Sequence, residues 1–409
     1  MSLTDRPLAV IAGFFLAASG LAPSSAAPPD PRTPPPVAAT PAADPAPAGT
    51  SPAAASPAAK TAGAGVGRAA DAPAAQAPPR RAGASGAPAT HAPAKAAPAR
   101  PAPPRDAEAE RRFAEALHER HGLDVQNMLA TLGRAQYQQS IIDAMNRPAE
   151  SKTWKDYRPI FVTPQRLADG IAFYRANRAL IERAAAEFQV APEIIVAILG
   201  VETSYGRNAG RYRVIDALYT LAFHYPPRQA FFRDELEQLF VLGDGAFPKP
   251  LAELGGSYAG AMGWGQFMPS SIARYARDYD GDGRIDLWNS LPDIVGSVAN
   301  YFRGYGWEAG GPIATRAQPA EGAREIGPGP VDPVYPVEQL VAWGYAPLVH
   351  LDPERAANLV RLDGANGPEF WITFQNFYVI TRYNRSPLYA MAVTQLAEGI
   401  AAGVKEPAP

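Results

Sequence analysis

One glutamate ends a run that is apolar on nearly every side. Pro192-Glu193-Ile194-Ile195-Val196-Ala197-Ile198-Leu199-Gly200-Val201 leads to Glu202, and Thr203, Ser204, Tyr205 and Gly206 follow. Proline in the first turn and glycine past the last bracket a helix, and its all-round apolar surface places it inside a core. At the C-terminal end of such a helix two effects disfavour an ionised carboxylate: loss of water and the partial negative charge of the helix end. A glutamate kept protonated near neutral pH is equipped to be a general acid. The plainer alternative is an ion pair, for which Arg207, Arg211 and Arg213 are near enough in sequence.

A second signal is Gly255-Gly256-Ser257-Tyr258-Ala259-Gly260-Ala261-Met262-Gly263-Trp264-Gly265-Gln266-Phe267-Met268-Pro269-Ser270-Ser271. Its glycines let backbone approach a ligand or a neighbour closely. A phosphate loop would need a GK[ST] ending or a third glycine after Gly263-Trp264-Gly265, and neither is present. Saccharides instead need flat aromatic faces with amides and hydroxyls beside them, which Trp264, Tyr258, Phe267, Gln266 and Ser257 supply. Packing of helices against a glycine-rich loop is the competing structural reading.

The third is Asp278-Tyr279-Asp280-Gly281-Asp282-Gly283-Arg284, the D-x-D-x-D-G opening of an EF-hand loop. Asp278, Asp280 and Asp282 would ligate calcium with the Arg284 carbonyl. The twelfth loop position is Asn289 rather than glutamate, so the closing ligand is expected from Asp293. A lone site of this kind suits a structural calcium ion better than a sensor. The fourth signal runs from Asn376 to Tyr389, where aromatics alternate with amide, hydroxyl and guanidinium groups ahead of a helix. It fits a saccharide groove or a buried aromatic cluster.

The elements that must position these groups are mostly helical. Thr163-Pro164 caps a helix with Leu167, Ile171, Tyr174, Ile181 and Phe188 on one stripe. Further helices are expected over 213–225, 228–242, 292–305 and 387–402, with a break at Pro226-Pro227. Short β-prone runs at 337–343, 358–362 and 370–373 predict a small β-containing lobe in a mainly α (α+β) fold.

Composition divides the 409 residues into three. Residues 1–26 carry Arg6, an apolar stretch from Leu8 to Ala17 and the small-residue exit Ser24-Ser25-Ala26, the order of an export signal cleaved after Ala26. The alternative is an uncleaved membrane anchor, for which the apolar stretch is short. Residues 27–105 hold nearly half of the 44 prolines, with alanine, glycine and serine, and read as a disordered linker. Residues 106–409 are globular. The absence of cysteine excludes disulfides and a lipidated cysteine. A net charge of −2 argues against nucleic acid, and the five histidines show no zinc spacing.

Taken together, Gly200 to Thr203, Arg213 to Leu218, Gly256 to Ser271, Asp280 to Gly283, Gly296 to Phe302 and Asn376 to Asn384 resemble the membrane-bound lytic murein transglycosylase B family. The resemblance spans about residues 107–402. It implies a lysozyme-like catalytic domain, Glu202 as catalytic residue, a structural calcium loop from Asp278 to Asp293, and no organic cofactor. Its substrate-groove positions fall on Ser257, Gln266, Phe267, Met268, Tyr301, Tyr383, Asn384, Tyr389, Tyr157 and Arg228. The implied partners are peptidoglycan glycan strands, with other cell-wall enzymes as further candidates, met by a periplasmic monomer. Two departures stand out: Pro227 replaces an arginine often present in the family, and the lipidated cysteine is missing.

A pair of carboxylates is the usual glycosidase arrangement, yet near Glu202 the sequence offers only Asp216 as a second acid. The resemblance assigns none, which implies cleavage between MurNAc and GlcNAc by one glutamate with substrate assistance, giving 1,6-anhydro ends. The alternatives are a lysozyme-type hydrolase and a non-catalytic, calcium-stabilised peptidoglycan-binding protein.

Overall fold

The computed structural model describes residues 102–146 and 152–405. The expected export signal at 1–26 and all but the last few residues of the linker lie outside them. The described chain is mainly helical, with a five-stranded antiparallel sheet and a short antiparallel pair of Tyr212–Arg213 with Gly255–Gly256.

The Pro192–Thr203 helix is the centre of the larger core: every residue from Ile194 to Thr203 is buried. The long C-terminal helix Pro387–Lys405 and the Pro164–Ala176 helix pack against it. The single stripe expected from Leu167 to Phe188 is divided into two helices, Pro164–Ala176 and Arg178–Phe188. The break is at Asn177, whose Nδ2 donates back to the Phe173 carbonyl at 2.9 Å. Such side-chain bonding competes with continued helix, and periodicity alone does not register it. The Pro226-Pro227 break is a short 3₁₀ turn, Pro226–Arg228, leading into Gln229–Leu242.

The larger sheet has five strands in the spatial order Tyr335–Pro336, Ala356–Gly364, Gly367–Thr373, Ala314–Pro319, Tyr345–Pro347. Its central hairpin is closed at the Gly364–Gly367 pair by Ala365-Asn366. The run 337–343, expected to be β, is instead the helix Val337–Ala342. Val337 and Leu340 are its buried positions, a spacing of three that lays both on one helical face against the sheet. The lobe has its own small core around Leu340, Tyr345, Leu359, Ile372 and Phe374.

Arg105, assigned to the linker by composition, is tied into the globular part. Its guanidinium donates to both Glu110 oxygens at 3.1 and 2.8 Å and to the Leu132 and Ala135 carbonyls. The buried Glu110 also accepts from the Tyr219 hydroxyl at 2.8 Å. Glu110→Ala would leave that hydroxyl without its acceptor and remove a charge-assisted pair, at about 2–3 kcal/mol. A urea unfolding midpoint lowered to match is the expected result. An unchanged midpoint would show the clamp to be idle.

Candidate active site

Glu202 is 4% exposed, in the last turn of the buried helix. The chain then makes an abrupt exit: Ser204, Tyr205 and Gly206 all have positive φ, at 52°, 59° and 81°. The left-handed conformation costs roughly 1–2 kcal/mol for each non-glycine residue, so the surroundings must impose it. They do so through the Ser204 N–H donating to the Gly200 carbonyl and the Tyr205 N–H to that of Leu199. The Tyr205 hydroxyl donates to the Arg166 carbonyl at 3.0 Å, and the Arg166 guanidinium donates to Ser204 Oγ at 3.0 Å. A side chain at Gly206 would run into the Trp264 ring, so this position needs glycine for space as well as for φ. Thr203 Oγ1 accepts from the Gly206 N–H and donates to the Trp264 carbonyl, both at 3.0 Å. One hydroxyl thereby joins the glutamate's helix to the glycine-rich loop.

On the carboxylate itself, the Tyr389 hydroxyl donates to Glu202 Oε1 at 2.5 Å. Burial, then the charge of Glu202, pushes the Tyr389 phenol well above its ordinary range, so it remains a donor. Tyr383 is raised in the same way by burial and by Glu202, and its hydroxyl donates to the Gly265 carbonyl at 2.9 Å. Tyr301 packs on Tyr383 with ring centroids 4.5 Å apart and donates to the Arg382 carbonyl. Phe267 lies against both rings at 5.5 and 5.8 Å. Tyr157 is buried beside Phe161 and contributes to the electrostatic surroundings of Tyr389. The aromatic residues expected to line a groove thus converge on Glu202, but mostly as a packed wall with their hydroxyls committed.

The arginines that offered an ion-pair explanation for Glu202 are engaged elsewhere. Arg207 pairs with Asp169, Arg211 lies over the Tyr212 ring, and Arg213 donates to both oxygens of Asp216 at 2.9 and 2.7 Å. Asp216 also accepts from the Gln136 N–H. Asp216, taken from the sequence as the candidate second acid, is therefore held in a structural ion pair.

Of the polar groove positions, Ser257 Oγ accepts from the Ala261 N–H at 3.1 Å, which leaves its own proton to donate. Gln266, at φ 51°, spends its amide N–H groups on the Gly263 and Ala209 carbonyls. Asn384 Oδ1 accepts from the Ser386 N–H. Arg228, Met268, Tyr301 and Tyr383 share the walls of a cavity of about 150 Å³ with Arg382 and Arg385 from the Asn376–Tyr389 run and with Glu235, which the sequence had not singled out. Glu235 caps the Pro269–Tyr275 helix through the Ser270 N–H and hydroxyl, while burial pushes its carboxyl upward. Burial likewise pulls Arg228 down, with Arg385 adding to the effect. Glu235 is brought in by tertiary contact from a helix far from that run in sequence; its only local signal was a glutamate among the apolar residues of its helix.

Carboxylate oxygens of Asp278, Asp280 and Asp282 lie within 4.8 Å of one another. The loop is held by Gly281 and Gly283 N–H groups donating to Asp278, and by the Ser290 hydroxyl donating to Asp280. Asp293 is not part of that group of three. It is buried and accepts from the Tyr279 and Asp286 N–H groups at 2.7 and 2.8 Å, clasping the two ends of the loop.

Comparison with known proteins places the chain among relatives. The model of the transglycosylase SLT domain matches residues 106–398. The chain is 40% identical over 301 residues to membrane-bound lytic murein transglycosylase B of Escherichia coli (strain K12), covering 71% of this chain and 82% of that one. Its fold is similar to the soluble lytic transglycosylase SltB1 from Pseudomonas aeruginosa, at TM-score 0.67 and 44% identity, covering 72% of this chain and 98% of that one. It is also similar to the Escherichia coli lytic transglycosylase Slt35 solved in complex with calcium, at TM-score 0.65 and 39% identity, covering 72% and 93%. With a family model spanning most of the chain and these relatives beside it, the protein belongs to the transglycosylase SLT domain family.

Proposed function

We propose that the chain is a peptidoglycan lytic transglycosylase in which Glu202 is the single acid and base. The observation that carries this is the burial of the Glu202 carboxyl group at the end of an apolar helix, held by the Tyr389 hydroxyl, while Asp216 is paired with Arg213. Glu202 protonates the glycosidic oxygen between MurNAc and GlcNAc as the bond from the MurNAc C1 breaks, and the MurNAc N-acetyl carbonyl assists. The Glu202 carboxylate then takes the proton of the C6 hydroxyl as O6 bonds to C1, closing the 1,6-anhydro ring without water. Ser257 orients the acetamido group with its free proton, and Tyr383 and Asn384 flank the pyranose, with Gln266, Phe267, Met268, Tyr301, Tyr157 and Arg228 completing the groove. Residues 1–26 would export the enzyme to the periplasm, in keeping with a cell-wall substrate.

The loop from Asp278 to Asp293 fits a hard cation, because three carboxylates converge at alternate positions and the Arg284 carbonyl follows. A carboxylate has about four acceptor positions, so Asp293 can clasp the loop and still contribute to the coordination. A bound calcium would supply charge neutralisation and rigidity to this loop. A ligand held only by the folded state contributes about 2.7 kcal/mol at a hundredfold excess over its dissociation constant.

Three outcomes test these assignments. Glu202→Gln keeps the shape and removes the acid, and should lower release of anhydro-muropeptides from sacculi by several orders of magnitude with the melting temperature retained. Cleavage close to the wild-type rate would end the assignment, reducing ends in place of anhydro ends would make the enzyme a hydrolase, and intact sacculi with the wild type would make it a binder. Tyr389→Phe, which removes only the hydroxyl on Glu202, should slow cleavage roughly 10- to 100-fold; an unaltered rate would assign that contact to packing alone. Calcium should raise the melting temperature of the wild type but not of Asp280→Ala with Asp282→Ala, and identical curves in calcium and chelator would refute the metal site.

A further inference from the structure

Five of the six large apolar side chains that are exposed among the described residues lie in the sheet lobe, between Val334 and Val349. There Tyr335 and Trp343 meet edge to face, with ring centroids 4.7 Å apart at 65°. The Arg324 guanidinium lies over the Trp343 ring at 4.3 Å. These three, with Glu325 and Asn358, line a cavity of about 200 Å³. Its frame is fixed by hydrogen bonds. The Arg324 N–H donates to the Trp343 carbonyl at 2.9 Å, the Tyr345 hydroxyl donates to the Arg324 carbonyl, and Asn358 Nδ2 donates to the Pro330 and Asp332 carbonyls. By contrast, the Arg324 guanidinium, the Glu325 carboxylate and the Trp343 indole N–H make no hydrogen bond to other described residues. A rigid aromatic corner therefore carries polar groups left available to a ligand.

We propose that this corner is a second saccharide site, which grips one N-acetylhexosamine of the same glycan strand away from the Glu202 groove. The inference rests on the reading of the chain as a glycan-cleaving enzyme. A pyranose has a flat C–H face for an aromatic ring and a rim of hydroxyls and an amide for the guanidinium, carboxylate and indole N–H. The volume is below the roughly 300–1,000 Å³ of pockets that hold drug-sized ligands, which suits one sugar rather than an oligosaccharide. Weak by itself, such a grip gains from attachment to a polymer already held at the groove, since the second contact is made at high effective concentration. An aromatic corner also suits a proline-rich peptide, but such a peptide has little use for a free carboxylate and guanidinium side by side.

The test uses the full chain with Glu202→Gln, so that sacculi are bound and not consumed, and measures co-sedimentation. Adding Arg324→Ala or Trp343→Ala should each weaken binding to sacculi roughly tenfold. In the Glu202 background the same two changes should leave cleavage of a short soluble glycan, which spans only the groove, unaltered. Arg324 is exposed, so its variant carries the test even if Trp343→Ala lowers the melting temperature. If the parent binds sacculi and both variants bind equally well, the second site is overturned while the catalytic reading stands. If the wild type neither binds nor cleaves sacculi, the catalytic reading fails first. Saturable binding of a synthetic peptide of residues 92–104, lost in Trp343→Ala with sacculus binding unchanged, would give the corner to the proline-rich segment and overturn the proposal.

Discussion

The architecture depends on holding a carboxyl group where water is scarce. Glu202 ends a helix whose neighbours are apolar on every side, and the C-terminal end of that helix adds its own partial negative charge. The contact that makes this tenable is the Tyr389 hydroxyl on Oε1, delivered from the C-terminal helix 187 residues away. The two helices pack along one another, so the core that buries the acid also aims the donor at it. Around this contact the positive-φ exit at Ser204, Tyr205 and Gly206 turns the chain sharply and lets Thr203 take hold of the glycine-rich loop. Acid, loop and aromatic wall are thus parts of one packed unit rather than separate loops.

The wall has a consequence for recognition. Tyr301, Tyr383 and Phe267 are buried and lean on one another, with the tyrosine hydroxyls donating to backbone carbonyls. What such a wall offers a ligand at Glu202 under the proposed function is shape and exclusion of water, which strengthens electrostatic interactions there. Arg228, Arg382 and Arg385 line one cavity with Glu235, Tyr301 and Tyr383. Glu235 itself serves the framework, pinning the start of the helix that follows the glycine-rich loop.

Much of this was legible in the chain because it is local. The apolar run before Glu202, the proline and glycine at its ends, the D-x-D-x-D-G loop and the glycine-rich loop each announce themselves within a few residues, and the structure has a buried helix at the first and loops at the other two. What was not legible depends on partners distant in sequence or on competition between neighbours. The stripe from Leu167 to Phe188 is periodic throughout, yet Asn177 bonds back to Phe173 and divides it. Valines at 337 and 341 favour a strand by propensity, yet burial of Val337 and Leu340 on one side against the sheet makes a helix. Arg105 looks like linker by composition and is recognisable as domain only when Glu110, Leu132 and Ala135 surround it. The fate of Asp216 could not be settled by spacing, since Arg213 was equally available to Glu202.

The central claim is that one buried glutamate cleaves the strand by intramolecular displacement, with the C6 hydroxyl in the place of water. The most direct measurement is digestion of sacculi by the wild-type enzyme in water enriched with heavy oxygen, followed by mass spectrometry of the new glycan ends. The account predicts anhydro ends with no heavy oxygen incorporated. Ends that carry one heavy oxygen at C1 would show that water attacks there, and would contradict it.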